Sequence, residues 1–403
     1  MIKTVKRLTM SMYIPKVAPD YLPLTAHEFV RHFANLLTNK SYDLLVEYEK
    51  YTKIIGYSCR SLFEVCMMHY QKKDLVVVTT PLHHTSFRNI IERFVKPENI
   101  HILDLNEHFN GLGKIPEVER CDLVVITHLF GQDMDLSKLV AFKKKHNCII
   151  IEDRVQGGSL NKEFSHEVSD ITIYSMAMDK RPIALGGGFM YVKNKHQKDI
   201  KGLVKIVDEL PVEKSITRFK ELLKKIPTIL LYNCRPFLYS FISTLKLLNI
   251  TKMYRKENPG FSRGYCLFKP SKGLLKSMYE NFGKHKLVEH LYTAKYEFFI
   301  KCLSPKMVSI FTPWYKANTS LSSYNTILVK EELVYQLLEF LNANNMSSLP
   351  NPTYKVFNHS YENDSKHIKL NNGIAYLPSI VNMNKQEIIY LTNKIKEFYK
   401  KYY

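Results

Sequence analysis

The chain has 403 residues, 45% of them hydrophobic and 24% charged, a composition that excludes disorder and gives enough length for two cores. Its formal net charge of +20 is spread through the chain, which fits a solvated lysine-rich surface, sites for anionic small molecules or an anionic surface; no zinc-finger spacing or RNP-like motif points to nucleic acid, and none is expected as a partner. The seven cysteines form no C-x-x-C pair and no His/Cys cluster at zinc spacing, so reduced thiols, a cytoplasmic setting and no metal are expected.

Residues 1–25 read as an extended arm punctuated by Pro15, Pro19 and Pro23, without the apolar core or cleavage site of a secretory leader. Residues 26–50 read as helices. A strand–helix alternation follows. Leu75–Thr79, Asp122–Thr127, Cys148–Ile151, Ile171–Tyr174 and Phe189–Val192 are short apolar, β-branched runs, with helical stretches at Ser86–Phe94 and Leu136–His146 between them. Buried strands separated by helix-length segments predict an α/β fold, a mostly parallel sheet covered by helices on both faces. The chemistry of such sheets lies beyond the carboxyl ends of the strands.

Ile226–Leu245 is the most apolar stretch, interrupted by Pro227, Arg235 and Pro236 and flanked by lysines. A mid-span arginine speaks against a membrane-spanning helix. A buried interdomain or dimer helix pair is the first reading, and association with a membrane surface through 226–250 the second. After about residue 265, helical segments (Lys272–Leu303, Lys330–Asn344, Asn384–Tyr399) alternate with short strands (Asn325–Val329, Ile374–Tyr376). The predicted division is therefore an arm (1–25), a large α/β domain (26–264) and a smaller C-terminal α+β domain (265–403).

The strand ends carry the polar residues. Cys148–Ile151 runs into Glu152-Asp153-Arg154-Val155-Gln156, and Ile171–Tyr174 runs into Ser175 and then Lys180, followed by Gly186-Gly187-Gly188. Taken singly, a strand-end aspartate reads as a salt-bridge partner or helix cap and a lone lysine as surface charge. Three glycines allow positive φ and close backbone approach.

Together these residues resemble the DegT-type (DegT/DnrJ/StrS) sugar aminotransferases, which are fold-type I pyridoxal-phosphate enzymes. That family's Glu-Asp-x-x-Gln/His motif matches Glu152, Asp153 and Gln156. Its Ser-x-x-x-x-Lys motif matches Ser175 and Lys180, and its glycine pair falls within Gly186–Gly188. His128-Leu129-Phe130-Gly131-Gln132 resembles its His-Leu-aromatic-Gly stretch, Gly56-Tyr57-Ser58-Cys59-Arg60-Ser61 its cofactor-phosphate turn, and Leu377-Pro378 its closing segment. The likeness is strongest over 122–192 and weak over 195–320, where Phe261-Ser262-Arg263 is the nearest match to the stretch that reaches across the family's dimer.

The resemblance implies a three-layer αβα large domain, pyridoxal 5'-phosphate as cofactor, a homodimer, and amino transfer from an amino acid, glutamate first, to a nucleotide-linked keto sugar in polysaccharide biosynthesis. Lys180 would form a Schiff base with the cofactor aldehyde and then move protons. Asp153 would face the pyridine nitrogen and keep it protonated. Gln156 would contact the phenolic oxygen, His84 (or His83) would stack on the ring, and Ser175 with Ser58, Cys59 and Arg60 would hold the phosphate. The sequence departs from the family at Cys59, where glycine is usual, at Leu62, where alanine is usual, and at Arg154, where a small residue is common. Lys180 stands against the related dehydratases, which have histidine there. Two other readings stay open: another pyridoxal-phosphate reaction on a small amino substrate, which shares Lys180 and Asp153, and a non-catalytic relative acting as a binding or membrane-associated scaffold, suggested by the unusual phosphate turn and the apolar 226–245 segment.

Overall fold

The structure is a computed structural model. It describes residues 26–156, 167–177, 184–223, 226, 267–282, 284–315, 325–344, 346, 348–350, 354–356, 365–380 and 383–403. The arm 1–25, Lys180, the apolar stretch from 227 to 250 and Phe261–Arg263 lie outside the described residues.

In chain order the first part comprises α1 (Ala26–Leu36), β1 (Leu45–Glu47), β2 (Tyr51–Gly56), α2 (Cys59–Tyr70), β3 (Val77–Thr79), β4 (Leu82–His84), α3 (Thr85–Phe94) and β5 (Ile100–Ile102). Then follow β6 (Leu123–Thr127), α4 (Leu139–His146), β7 (Ile149–Asp153), β8 (Ile171–Ser175), β9 (Gly188–Lys193), α5 (Gln197–Glu209) and α6 (Ser215–Leu223). Eight of these strands form one sheet in the order β1-β2-β9-β8-β7-β6-β3-β5. The five from β8 to β5 are parallel, as the apolar runs predict. The other end differs: β9, the fifth expected strand, runs antiparallel to β8 and to β2, and β1 runs antiparallel to β2. An apolar run sets burial, not direction, so this reversal left no mark in the sequence.

Period-2 alternation sorts the side chains into two cores. Ile54, Val77, Leu123, Val125, Ile151, Ile171, Ile173, Met190 and Val192 face one way, onto Phe63, Ile90 and Leu203 from α2, α3 and α5. Their neighbours face the other way. Val78, Val124, Ile126 and Ile150 meet Leu139 of α4, and Ile55, Tyr174, Phe189 and Tyr191 meet Leu274 and Met278 of α7 (Lys272–Phe282). Both faces are covered, which makes three layers. Two helix expectations are corrected. Residues 26–50 are not helical throughout, because Leu45–Glu47 pairs with Thr52–Ile54 as a hairpin, and tertiary pairing overrides local propensity there. Lys272–Leu303 is two helices, α7 and α8 (His285–Cys302), with the helix-disfavouring Gly283 of the sequence between them.

The C-terminal part continues with α9 (Pro305–Phe311), β10 (Asn325–Leu328), α10 (Val334–Ala343), β11 (Leu349–Pro350), β12 (Tyr354–Val356), α11 (Ser365–Gly373), β13 (Ile374–Leu377) and α12 (Lys385–Tyr402). A small antiparallel sheet, β10-β13-β11, carries Ile327, Ala375 and Leu377 into a core with Phe299, Leu337, Leu391 and Phe398. A capping box starts α12: Asn384 accepts from the Glu387 N–H while the Glu387 carboxylate accepts from the Asn384 N–H. Strand β12 leaves this part and pairs with β4, Tyr354 opposite His84. Among the described residues no helix is long and apolar enough to cross a membrane.

Candidate active site

The register of the sheet brings the sequence-predicted residues to one edge. Thr127 pairs with Asp153 across β6 and β7, and Asp153 with Ile173 across β7 and β8. Ser175 pairs with Gly188, and Gly188 with Gly56. The carboxyl ends of β2, β6, β7 and β8 therefore line up, and the residues that follow them include Ser58, His128, Gln156 and Met176.

Gly188 fits where no side chain could. A Cβ there would lie 2.4 Å from the Cys59 nitrogen and 2.7 Å from the Ser58 carbonyl carbon, so the start of α2 rests directly on the backbone of β9. Gly187, with φ of +94°, bridges to Ser58, and its carbonyl accepts from the Met176 N–H at 3.0 Å. Ser58 caps α2: its Oγ accepts from the Ser61 N–H at 3.1 Å, and its own N–H donates to Ser61 Oγ at 2.9 Å. The first turn of the twelve-residue α2, with the backbone of Cys59 and Arg60, thus opens beside Ser175. Amide groups at a helix start and an adjacent hydroxyl form an anion site. The expected glycine at 59 is not needed for this, since Cys59 is buried and the close approach falls to Gly188.

Asp153 and Gln156 are both buried at the end of β7. An Asp153 oxygen accepts from the Val155 N–H at 3.0 Å, which fixes the carboxylate at the strand end. The Gln156 amide nitrogen stands 3.4 Å from the Tyr376 hydroxyl on β13, and its Oε1 has no partner. The Gln156 carbonyl accepts from the Gly131 N–H at 3.0 Å. That ties it to the turn after β6, where Phe130 and Gly131 take φ of +58° and +79°. Next in the turn is Gln132, buried, with neither amide atom partnered. Unpartnered buried amides are rare in finished cores, and each group left so costs about 1–3 kcal/mol. They leave hydrogen-bonding capacity at this edge for a polar ligand to meet. Phe130 stacks on Trp314 with centroids 4.1 Å apart, so the C-terminal part backs the turn.

A charged layer supports the edge from below. His128 and Glu152 are fully buried, with His128 Nε2 2.7 Å from a Glu152 oxygen. The Met134 N–H donates to His128 Nδ1 at 3.0 Å, so it is Nε2–H that donates to Glu152. Arg154 is buried beside them, paired with Asp133 and 3.7 Å from Glu152, its guanidinium over the Tyr174 ring. Burial opposes its charge, but Tyr174, Asp133 and Glu152 outweigh that and hold its pKa above the ordinary value.

Lys180 itself lies outside the described residues, but Met176 and Ala184, before and after it in sequence, do not. The Ala184 N–H donates to the Met176 carbonyl at 3.2 Å, which brings these two residues together just past Ser175. Of the two histidines, His83 is fully buried among Thr79, Thr80 and Thr127. Burial, helped by His84, pushes its pKa down to about 3. His84 is half-buried and caps α3, its Nδ1 accepting from the Ser86 N–H. The sequence reading missed Tyr376, although it marked the Leu377-Pro378 that follows.

No family model and no curated protein sequence matches the chain. Solved structures do match, and they define the class of fold: the three-layer fold-type I architecture expected above. Helicobacter pylori PseC, an aminotransferase involved in the biosynthesis of pseudoaminic acid, superposes with a TM-score of 0.64 at 11% identity, covering 96% of this chain and 100% of its own. A DegT DnrJ EryC1 StrS aminotransferase from Brucella abortus gives 0.56 at 12% identity, with 98% and 96% covered. GDP-4-keto-6-deoxymannose-3-dehydratase (ColD) gives 0.62 at 11% identity, with 94% and 100% covered. Each of these matches takes in 94% or more of this chain.

Proposed function

We propose that this chain is a pyridoxal-phosphate-dependent aminotransferase of the DegT type, acting as a homodimer. It would move an amino group from an amino acid, glutamate first, to a keto sugar carried on a nucleotide. One observation carries the reading: Asp153, Gln156, Ser175, the start of α2, and Met176 and Ala184, which precede and follow Lys180 in sequence, meet at one sheet edge. The solved structures that share this fold include aminotransferases, one of them involved in the biosynthesis of pseudoaminic acid, which supports the choice of chemistry.

The residues fit the cofactor. Gln156 keeps an unpartnered amide oxygen, and the glycine cradle leaves room for the turn at Ser58. A buried carboxylate, an amide, a hydroxyl and a helix N-terminus suit a protonated ring with a phosphate arm. Lys180 would hold the cofactor's aldehyde carbon and, once displaced by the donor amine, carry the proton between carbons. Asp153 would keep a proton on the ring nitrogen, Gln156 would orient the phenolic oxygen, and Ser175 with Ser58, Cys59 and Arg60 would hold the phosphate. When bound, the cofactor supplies the electron sink for the carbon that loses its proton. His128, fixed by Glu152 and Met134, holds the turn that carries Gln132.

The test is the near-visible spectrum of the purified protein with added pyridoxal phosphate, beside Lys180→Ala. A yellow band in the wild type that bleaches with glutamate and is absent from the variant is the expected result. A folded wild type without a band ends the proposal.

A further inference from the structure

Arg218, on α6, lies in the stretch where the sequence resembles no motif, yet its side chain touches both loops of the candidate site. Its Nε lies 2.6 Å from a Glu213 carboxylate oxygen. Its Nη1 donates to the Leu185 carbonyl at 3.0 Å. Its guanidinium lies over the Tyr57 ring, 4.4 Å from the centroid. A Cβ on Gly186 would stand 2.6 Å from Nη1, so the glycine, at φ of +132°, is in direct contact. Leu185 and Gly186 follow Lys180 in sequence. Tyr57 is the residue before Ser58.

Glu213 is itself anchored. Its other oxygen accepts from Ser271 Oγ at 3.1 Å, and its N–H donates to the Lys269 carbonyl at 2.9 Å. The ion pair is nearly closed to water, with side-chain exposures of 11% for Arg218 and 2% for Glu213. Only a planar, forked cation can grip a carboxylate and a carbonyl at its edge while it stacks a ring on its face. A lysine would supply the charge and lose the geometry.

We propose that Arg218, held by Glu213, is a positioning residue that sets the spacing between residues 185–186, which follow Lys180 in sequence, and the Ser58 turn. It acts through the backbone of these two segments and not through a contact of its own with the cofactor. The consequence for the cofactor rests on the pyridoxal-phosphate reading, whereas the coupling of the loops does not.

The experiment therefore has two readouts, on Arg218→Lys and Glu213→Gln beside the wild type. The first is amide hydrogen exchange of the cofactor-free chain. It should quicken at 184–188 and 57–61 in both variants, more in Arg218→Lys, with β6 and β7 unchanged. The second is spectroscopic titration with pyridoxal phosphate, in which affinity should fall about 10- to 100-fold, the usual scale for residues that support a site from behind. Unchanged exchange in those two segments overturns the proposal. So does exchange that rises evenly through the sheet, which would make the pair a general structural element, and so does local loosening with undiminished cofactor affinity. Local loosening in a chain whose wild type shows no cofactor band keeps the loop coupling and removes the cofactor reading.

Discussion

Two buried polar clusters sit at opposite ends of the same strands, and they are built on opposite rules. At the amino end of β8, Asp170 is fully buried and its partners are complete. It accepts from the Ile150 N–H, and Lys143, Lys195 and His196 all pair with it. Burial alone would raise its pKa, but the His196 and Lys143 hydrogen bonds win and hold it far below the usual carboxylate range. At the carboxyl end, Gln132 and Gln156 are also buried and carry three unpartnered amide atoms. A saturated cluster has nothing left to bind and serves the fold, whereas an unsaturated one is completed by something else.

The comparison can be broken from either end. The largest effect is expected at the carboxyl end: Lys180→Ala should lower turnover by about a thousandfold or more while the unfolding midpoint stays near that of the wild type. An active variant would sink the assignment. Asp153→Asn should reduce kcat by about a hundredfold with a smaller loss of cofactor affinity, and equal losses in both would show that the carboxylate holds the cofactor instead of tuning it. At the amino end the effects reverse. Asp170→Asn should remove about 1–3 kcal/mol of stability, because it puts an uncharged amide among partly buried cations and beside a backbone N–H that the buried carboxylate satisfied, and should leave steady-state kinetics intact below the new unfolding temperature.

Acid should loosen the fold through the histidines. Burial, the largest cause for each, pushes His83 down to about 3 and His32 down to about 4. Between those values and about 6.5 the unfolded chain binds protons that the folded chain refuses. Their contribution is therefore complete above pH of about 6.5 and fades as pH falls, and the depressed Asp170 adds a further loss at lower pH. Denaturant midpoints measured from pH 7 to pH 4 should fall, less steeply in His83→Asn. The smallest effect is expected for Gln132→Leu, which removes two unpartnered atoms: stability should stay level or rise by about 1 kcal/mol while ligand affinity drops. A large loss of stability there would mean that the turn needs the amide.

Much of the carboxyl edge was legible in the sequence because parallel strands buried on both faces write themselves as unbroken apolar runs. The runs before Glu152 and Ser175 stop near the carboxyl ends of β7 and β8, and the polar residues that follow are those of the candidate site. Three-residue strands such as β1, β4 and β5 are too short to show a period, and the antiparallel turn-back of β9 depends on neighbours that no local run encodes. Tyr376 and Arg218 reach the site only through tertiary packing: Gln156 meets Tyr376 across 220 residues of chain, and nothing near Arg218 in sequence announces Leu185 or Tyr57 as its partners.

The chain contains a single tryptophan, and that residue, Trp314, is buried in face-to-face contact with Phe130 of the turn that leads to Gln132. The protein therefore carries one intrinsic indole fluorophore, and it is wired to the working end of the sheet. Its emission should be blue-shifted by its dry surroundings, and a bound chromophore absorbing in the near-visible would quench it by energy transfer. Occupancy could then be followed in a stirred cuvette, in real time, without a label and without turnover.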